Sequence, residues 1–429
     1  MKIALLFPGQ GAQYIGMGKK WFDSYAVAAK TFKECDSVLG LPLSRLCFEG
    51  DEKELMQTEN AQPAILAASI AAYRIYREEG GPQPHYLAGH SLGEFTSLVV
   101  SGAISFADAV QLVRVRGQLM SEASIGIAGA MSAVSGTDKE LVEHVCRACS
   151  DETAQVAVSN YNSKSQWVIS GHESAVSRAE EQLQASGART LRLTVSAPFH
   201  SPLMEEASLK FKAALDKVDF NPLTIPVVSN VHARPYLNKE SIPAFLSRQI
   251  IEPVRWSETM QFLASKGMET AVELGPRKVL KNLFKDFPSI RTFSFDSEED
   301  LQEWKALNVS KYQSAEDTTR KLISRCLAIA VCTRNRNWDH EAYEKGVLEP
   351  YRRIKEMEAQ LTKEGKPAGA DKVQEAIDML RSVFETKLTP ADEQKERFEQ
   401  LLQETQISRV YPQFHVLANP ELCNISTHD

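Results

Sequence analysis

Gly89-His90-Ser91-Leu92-Gly93 follows the apolar run Tyr86-Leu87-Ala88 and leads into residues 95–101, which read as a helix. Strand, G-x-S-x-G turn and helix in that order make a nucleophile elbow. The glycines permit a tight turn that lifts the Ser91 hydroxyl clear of the sheet. The helix N-terminus then aims free N–H groups at the same point, where an oxyanion can be held. The five-residue pattern also occurs by chance. A catalytic reading therefore needs a base, an oxyanion hole and a source of substrate choice elsewhere in the chain.

Outward from the elbow, the rhythm is that of an α/β protein. Ile3-Ala4-Leu5-Leu6-Phe7 is a continuous apolar run, as in a strand covered on both faces. It passes into Pro8-Gly9-Gln10-Gly11 with no small-residue cleavage site, which favours a buried strand over a signal peptide. A helix is predicted over 64–79, started by Ala61-Gln62-Pro63 and ended by Gly80-Gly81-Pro82. From 126 to 196 the order changes to strand 130–134, helix 138–150, hairpin 156–159/167–170, helix 173–185 and strand 190–195. That βαββαβ order is the ferredoxin-like plan. Strands at 225–230 and 270–274 and helices at 242–250 and 279–284 resume the α/β pattern. Beyond 296, strand signals give way to helices at 316–331, 350–363, 373–387 and 390–404. Thr389-Pro390-Ala391-Asp392 reads there as a threonine cap with proline at the first helical position. The expected layout is a core from 1–125 and 197–295, a small ferredoxin-like subdomain at 126–196, and a mostly α-helical extension at 296–429.

Composition narrows the function. Among 429 residues, 43% are hydrophobic and 24% charged, ordinary for a globular protein. A net charge of −7 argues against nucleic acid as a partner, because backbone binding needs a basic face. No apolar run approaches the ~20 residues of a membrane span, and a cytoplasmic chain is expected. Seven scattered cysteines suit reduced thiols rather than a disulfide framework. Cys146-Arg147-Ala148-Cys149, beside His144, lacks the second ligand pair of a zinc site and sits late in an amphipathic helix pattern, so no metal site is expected.

Three further positions bear on the chemistry. His200, in Ala197-Pro198-Phe199-His200-Ser201-Pro202, lies in a proline-flanked loop just past the subdomain, a suitable place for a general base. Gln10 follows the first strand at the end where a parallel sheet binds ligands, and its N–H can serve as an oxyanion donor; an ordinary glycine turn is the alternative. Arg116 sits on an otherwise apolar helical stretch, where a guanidinium fork suits a carboxylate, either a substrate's or the protein's own.

Phe7-Pro8-Gly9-Gln10-Gly11-Ala12-Gln13, Gly89-His90-Ser91-Leu92-Gly93-Glu94, Arg114-Val115-Arg116-Gly117, Ala197-Pro198-Phe199-His200 and Glu273-Leu274-Gly275-Pro276 occur in order. Together they resemble the malonyl-CoA:acyl-carrier-protein transacylases, including acyltransferases that serve polyketide synthases, over roughly residues 1 to 290. The resemblance implies an α/β-hydrolase-like core with the inserted ferredoxin-like subdomain. It implies Ser91 as the malonylated nucleophile, His200 as its base, and the Gln10 and Leu92 N–H groups as the oxyanion hole. Arg116 would grip the malonyl carboxylate, the Gln249 main-chain carbonyl would steady His200, and His90 would line the pocket. Phe199, a bulky aromatic before the histidine, would select malonyl over methylmalonyl by a steric clash.

The implied substrates are malonyl-CoA and the phosphopantetheine thiol of an acyl carrier protein, in fatty acid or polyketide synthesis, with no bound cofactor and no membrane partner. One alternative is a hydrolase that clears stalled acyl thioesters, in which the carboxylate-binding arginine would be missing. Another is a non-enzymatic scaffold working through the C-terminal helices. That extension goes beyond the resemblance and is left without a role.

Overall fold

β1 (Ile3–Phe7) is fully buried along its whole length, which explains its unbroken apolar sequence. The computed structural model describes residues 2–195, 197–411 and 414. They fall into two units, Met1–Gln302 and Glu303–Asp429. The expected subdomain limit at Ser196 and the expected extension over 415–429 lie outside the described residues.

In the first unit β1 is flanked by β2 (Tyr86–Gly89) and, on its other side, by a strand over Thr270–Glu273. Between these in sequence come four antiparallel strands and Val227–Val228. The small strands are β3 (Gly129–Ser135), β4 (Val156–Tyr161), β5 (Gln166–His172) and β6 (Arg189–Arg192). The larger sheet is completed by β7 (Val227–Val228), β8 (Thr270–Glu273) and β9 (Arg291–Ser294). Its order is β7-β2-β1-β8-β9, with every pairing parallel. The chain builds outward from β1 through β2 to β7, then returns to the far side of β1. Connections diverge next to β1, and ligands bind at the carboxyl ends of strands at such a point. Phe7 pairs with Gly89 there, so the first loop and the elbow start side by side.

The four-stranded sheet has the order β4-β5-β3-β6, with helices Lys139–Ala148 and Glu173–Ala185, which is the ferredoxin-like arrangement. Its buried cluster runs from Ala130 and Val134 to Trp167 and Leu183, and includes Cys146 and Cys149. Burial raises both thiols. Among the described residues no group of three His, Cys, Asp or Glu side chains is placed to hold a metal, and no helix is long and apolar enough to cross a membrane.

Several boundaries differ from the sequence expectations. The helix expected from 64 spans Thr58–Glu78, with Pro63 inside it. Proline lacks an N–H, so the Glu59 carbonyl four residues earlier has no helical donor; Arg114 Nη1 donates to it at 2.8 Å instead. The strand expected at 225–230 is only two residues long, because Ser229 and Asn230 turn into the site. The last small strand stops at Arg192, and β9 had no strong signal in Arg291–Ser294, a short edge segment.

The second unit is helical. Glu298–Cys332, which contains the junction between units, starts 18 residues before the expected helix at 316. Glu349–Glu364, Ala370–Thr386 and Ala391–Thr405 follow the predicted apolar stripes. Ile377, Leu380, Phe384, Phe398 and Leu401 join Leu322 and Cys326 in one buried cluster made from this unit alone. Thr389 is not the cap: Pro390 occupies that position and no side chain caps the helix.

Candidate active site

Ser91 stands two residues past the end of β2 with φ 50°, a left-handed conformation that a non-glycine residue adopts at a cost of about 1–3 kcal/mol. Neighbouring contacts enforce it. A Cβ on Gly89 would lie 1.9 Å from the Gly93 carbonyl, and one on Gly93 would lie 2.0 Å from the Phe7 carbonyl oxygen. Asn230 clamps the turn from the end of β7: its Oδ1 accepts from Ser91 N at 2.6 Å and its Nδ2 donates to Gly89 O at 2.7 Å.

Ser91 Oγ lies 2.7 Å from His200 Nε2. His200 Nδ1 lies 2.6 Å from the Gln249 main-chain oxygen, which can only accept, so Nδ1 carries the proton and Nε2 presents its lone pair to the serine. Burial, then the nearby Arg116 charge, push the imidazole down to about 3. It is therefore neutral near pH 7, the form a general base needs. His200 itself has φ 55°, so both partners of this hydrogen bond are held in unusual backbone conformations.

Arg116, 1% exposed, comes from the helix Phe106–Glu122. Gly117 lets that helix approach Thr58–Glu78 closely, since a Cβ there would meet the Glu59 Cα at 2.5 Å. Arg116 Nη1 donates to Gln62 Oε1 at 2.8 Å, and Nη2 to Gln249 Oε1 at 3.0 Å and Ser91 Oγ at 3.2 Å. Its Nε–H is buried without an acceptor. Burial lowers the guanidinium to about 10, with Glu94 opposing the shift, so it stays cationic.

The remaining expected positions are placed as follows. Among the described residues the Gln10 and Leu92 N–H groups donate to no protein acceptor, while the Gln10 side chain binds Thr58 Oγ1 at 3.2 Å. Phe199 and Gln10 border a cavity of about 320 Å³ that Thr58, Ser121 and Ser124 also line. His90 Nε2 is 2.9 Å from Asn162 Oδ1, in the turn between β4 and β5, and its ring tilts against Trp256, which opens the helix Trp256–Ser265. Three residues were not singled out from sequence: Gln62, Asn230 and Glu94. Gln62 was read only as part of a helix start and Asn230 only as a strand end. Glu94, an acid opening an apolar helix, was a visible signal.

A hydroxyl on a neutral imidazole, unpaired N–H groups at the elbow and a buried cation at the same oxygen can together perform acyl transfer. Residues 4–293 match the family model of the acyl transferase domain. The chain belongs to the acyl transferase family. Its similarity to individual acyl transferases is extensive. It is 45% identical over 285 residues to the malonyl CoA-acyl carrier protein transacylase of Bacillus subtilis strain 168, covering 66% of this chain and 90% of that one. It is 35% identical over 393 residues to another Bacillus subtilis protein of that name, covering 91% of this chain and 98% of the other. Residues 1–302 alone cannot supply that coverage, so the likeness continues into the helical unit. A malonyl-transacylase solved in complex with its type II polyketide synthase acyl-carrier protein superposes with a TM-score of 0.68 at 38% identity, covering 70% of this chain and 98% of that one.

Proposed function

We propose that this acyl transferase moves a malonyl group from malonyl-CoA to the phosphopantetheine thiol of an acyl carrier protein, through an ester on Ser91. Ser91 Oγ attacks the thioester carbonyl while His200 Nε2 takes its proton. The C–S bond then breaks, and His200 returns the proton to the departing CoA thiolate. In the second half His200 takes the proton of the carrier thiol, the thiolate attacks the seryl ester, and Ser91 leaves and is reprotonated. The Gln10 and Leu92 N–H groups hold the oxyanion in both halves; losing one such donor typically costs about 100-fold or more in rate.

The observation that carries this reading is the Arg116 guanidinium, buried against Ser91 Oγ. A neutral acyl group gains nothing from it, whereas a malonyl carboxylate can take over the bond to Ser91 and satisfy the buried Nε–H. Phe199 lies beside the cavity next to Gln10, and in this reading it restricts a branched acyl chain; one methyl group is worth only about 1–3 kcal/mol, so malonyl is preferred, not exclusive. The cycle calls for no resident cofactor. A cytoplasmic location belongs to the same proposal, supported by buried, unpaired Cys35, Cys47, Cys146, Cys149 and Cys326.

Intact-protein mass spectrometry tests the proposal. A malonyl adduct should form on brief mixing with malonyl-CoA, move to an added phosphopantetheinylated carrier protein, and be absent from Ser91→Ala. An adduct that decays to free malonate would favour a hydrolase, and labelled Ser91→Ala would place the nucleophile elsewhere.

A further inference from the structure

Glu94 is fully buried directly behind the elbow, in the helix Gly93–Val100, and takes no part in the steps above. Its Oε2 accepts from Gln249 Nε2 at 2.6 Å and from Asn230 N at 3.1 Å, and its Oε1 accepts from Tyr236 OH at 2.5 Å. We propose that Glu94 is a positioning residue of the transfer site: it fixes the Gln249 amide between Arg116 and the elbow, and its charge sets how tightly Arg116 holds a substrate carboxylate. This rests on reading Ser91 as the acylated group and Arg116 as the carboxylate ligand.

The amide of Gln249 has only one satisfactory orientation. Its oxygen faces Arg116 Nη2, and its NH2 faces Glu94 Oε2 and, at 3.0 Å, the Ser91 carbonyl. Turning it over would set N–H against N–H at the arginine and oxygen against oxygen at both other partners. The same residue supplies the main-chain oxygen bound to His200, so the carboxylate acts on the base as well as on the cation. Through Asn230 it also reaches Ser91 N and Gly89 O, which hold the strained turn.

Charge adds a second consequence. Arg116 and Glu94 are both sealed from solvent and are joined through the Gln249 amide; burial raises the Glu94 carboxyl, while Tyr236 OH, Gln249 Nε2 and Asn230 N all donate to it and favour the carboxylate form, which offsets the arginine's charge. A malonyl carboxylate entering the site competes with Glu94 for that cation. Removing the Glu94 charge should therefore tighten binding of malonyl-CoA while slowing transfer. A role in packing alone would not strengthen binding.

Glu94→Gln and Glu94→Asp separate these effects. In the whole chain of 429 residues Glu94→Gln should lower kcat for malonyl transfer about tenfold or more. In a Ser91→Ala background, where no acyl-enzyme forms, adding Glu94→Gln should lower the Kd for malonyl-CoA about threefold or more by calorimetry and leave that for acetyl-CoA unchanged. Glu94→Asp keeps the charge on a shorter arm, so it should keep native malonyl-CoA affinity and lose kcat. Native kcat in either variant, or malonyl-CoA binding no tighter in the Gln double variant, would overturn the inference. If the Gln variant fails to fold, native kcat in the Asp variant overturns it alone. A native protein that forms no malonyl adduct overturns the transferase reading and this inference together; a native adduct with unchanged variants overturns only this one.

Discussion

Three separate side chains meet the oxygen and the backbone of Ser91: His200, Arg116 and Asn230. If Arg116 holds the malonyl carboxylate as proposed, Arg116→Ala should cut kcat/KM for malonyl-CoA about 100-fold or more and spare acetyl loading. Equal losses for both acyl groups would make Arg116 a structural ion. His200 has a testable pH signature. Its folded pKa is depressed to about 3, so the base stays unprotonated well below the ordinary histidine value of about 6.5. The kcat/KM for malonyl-CoA should accordingly stay flat from pH 7 to about 5. A fall with a midpoint near 6.5 would mean that neither burial nor Arg116 disfavours the imidazolium in the free enzyme.

At the scale of elements, close backbone approaches place these residues. Gly9 would bring a Cβ to 2.4 Å from the His90 carbonyl oxygen, and Gly93 one to 2.0 Å from that of Phe7, so the first loop and the elbow are pressed together. Gly93→Ala should destabilise the fold by about 1–3 kcal/mol, read as a lower urea midpoint, because the obstacle is backbone and cannot swing aside. The two arginines of Arg114-Val115-Arg116-Gly117 divide their work. Arg116 points to Ser91, while Arg114 caps the Glu59 carbonyl that Pro63 leaves without a partner. Arg114→Ala should cost about 1–3 kcal/mol in the same measurement, since that carbonyl then loses its donor. An unchanged midpoint would show that water replaces it.

For the whole molecule, the decisive fact is that the helical unit has its own buried cluster, running from Leu322 to Phe414. Two units with separate cores should unfold with a calorimetric enthalpy above the van't Hoff value. A single two-state transition would mean that they unfold as one.

Local chemistry decided much of this protein in advance. Ile3–Phe7 reads as a buried strand because no polar residue interrupts it, and the glycines around Ser91 permit the tight turn between strand and helix. The βαββαβ order of the small sheet was legible for the same reason, since period-2 and period-3.6 patterns follow one another along the chain. Motif residues such as Ser91, His200 and Arg116 could be named because their types suit acyl transfer. Their full geometry could not be read, because Gln62, Asn230 and the side chain of Gln249 come from helices and strand ends far apart in sequence. Tertiary packing alone turned Pro63 into a helix-interior residue, by bringing Arg114 to the orphaned carbonyl. It alone joined Glu94 to Arg116 through one amide, because a buried charge finds its partners only when the elements that carry them close around it.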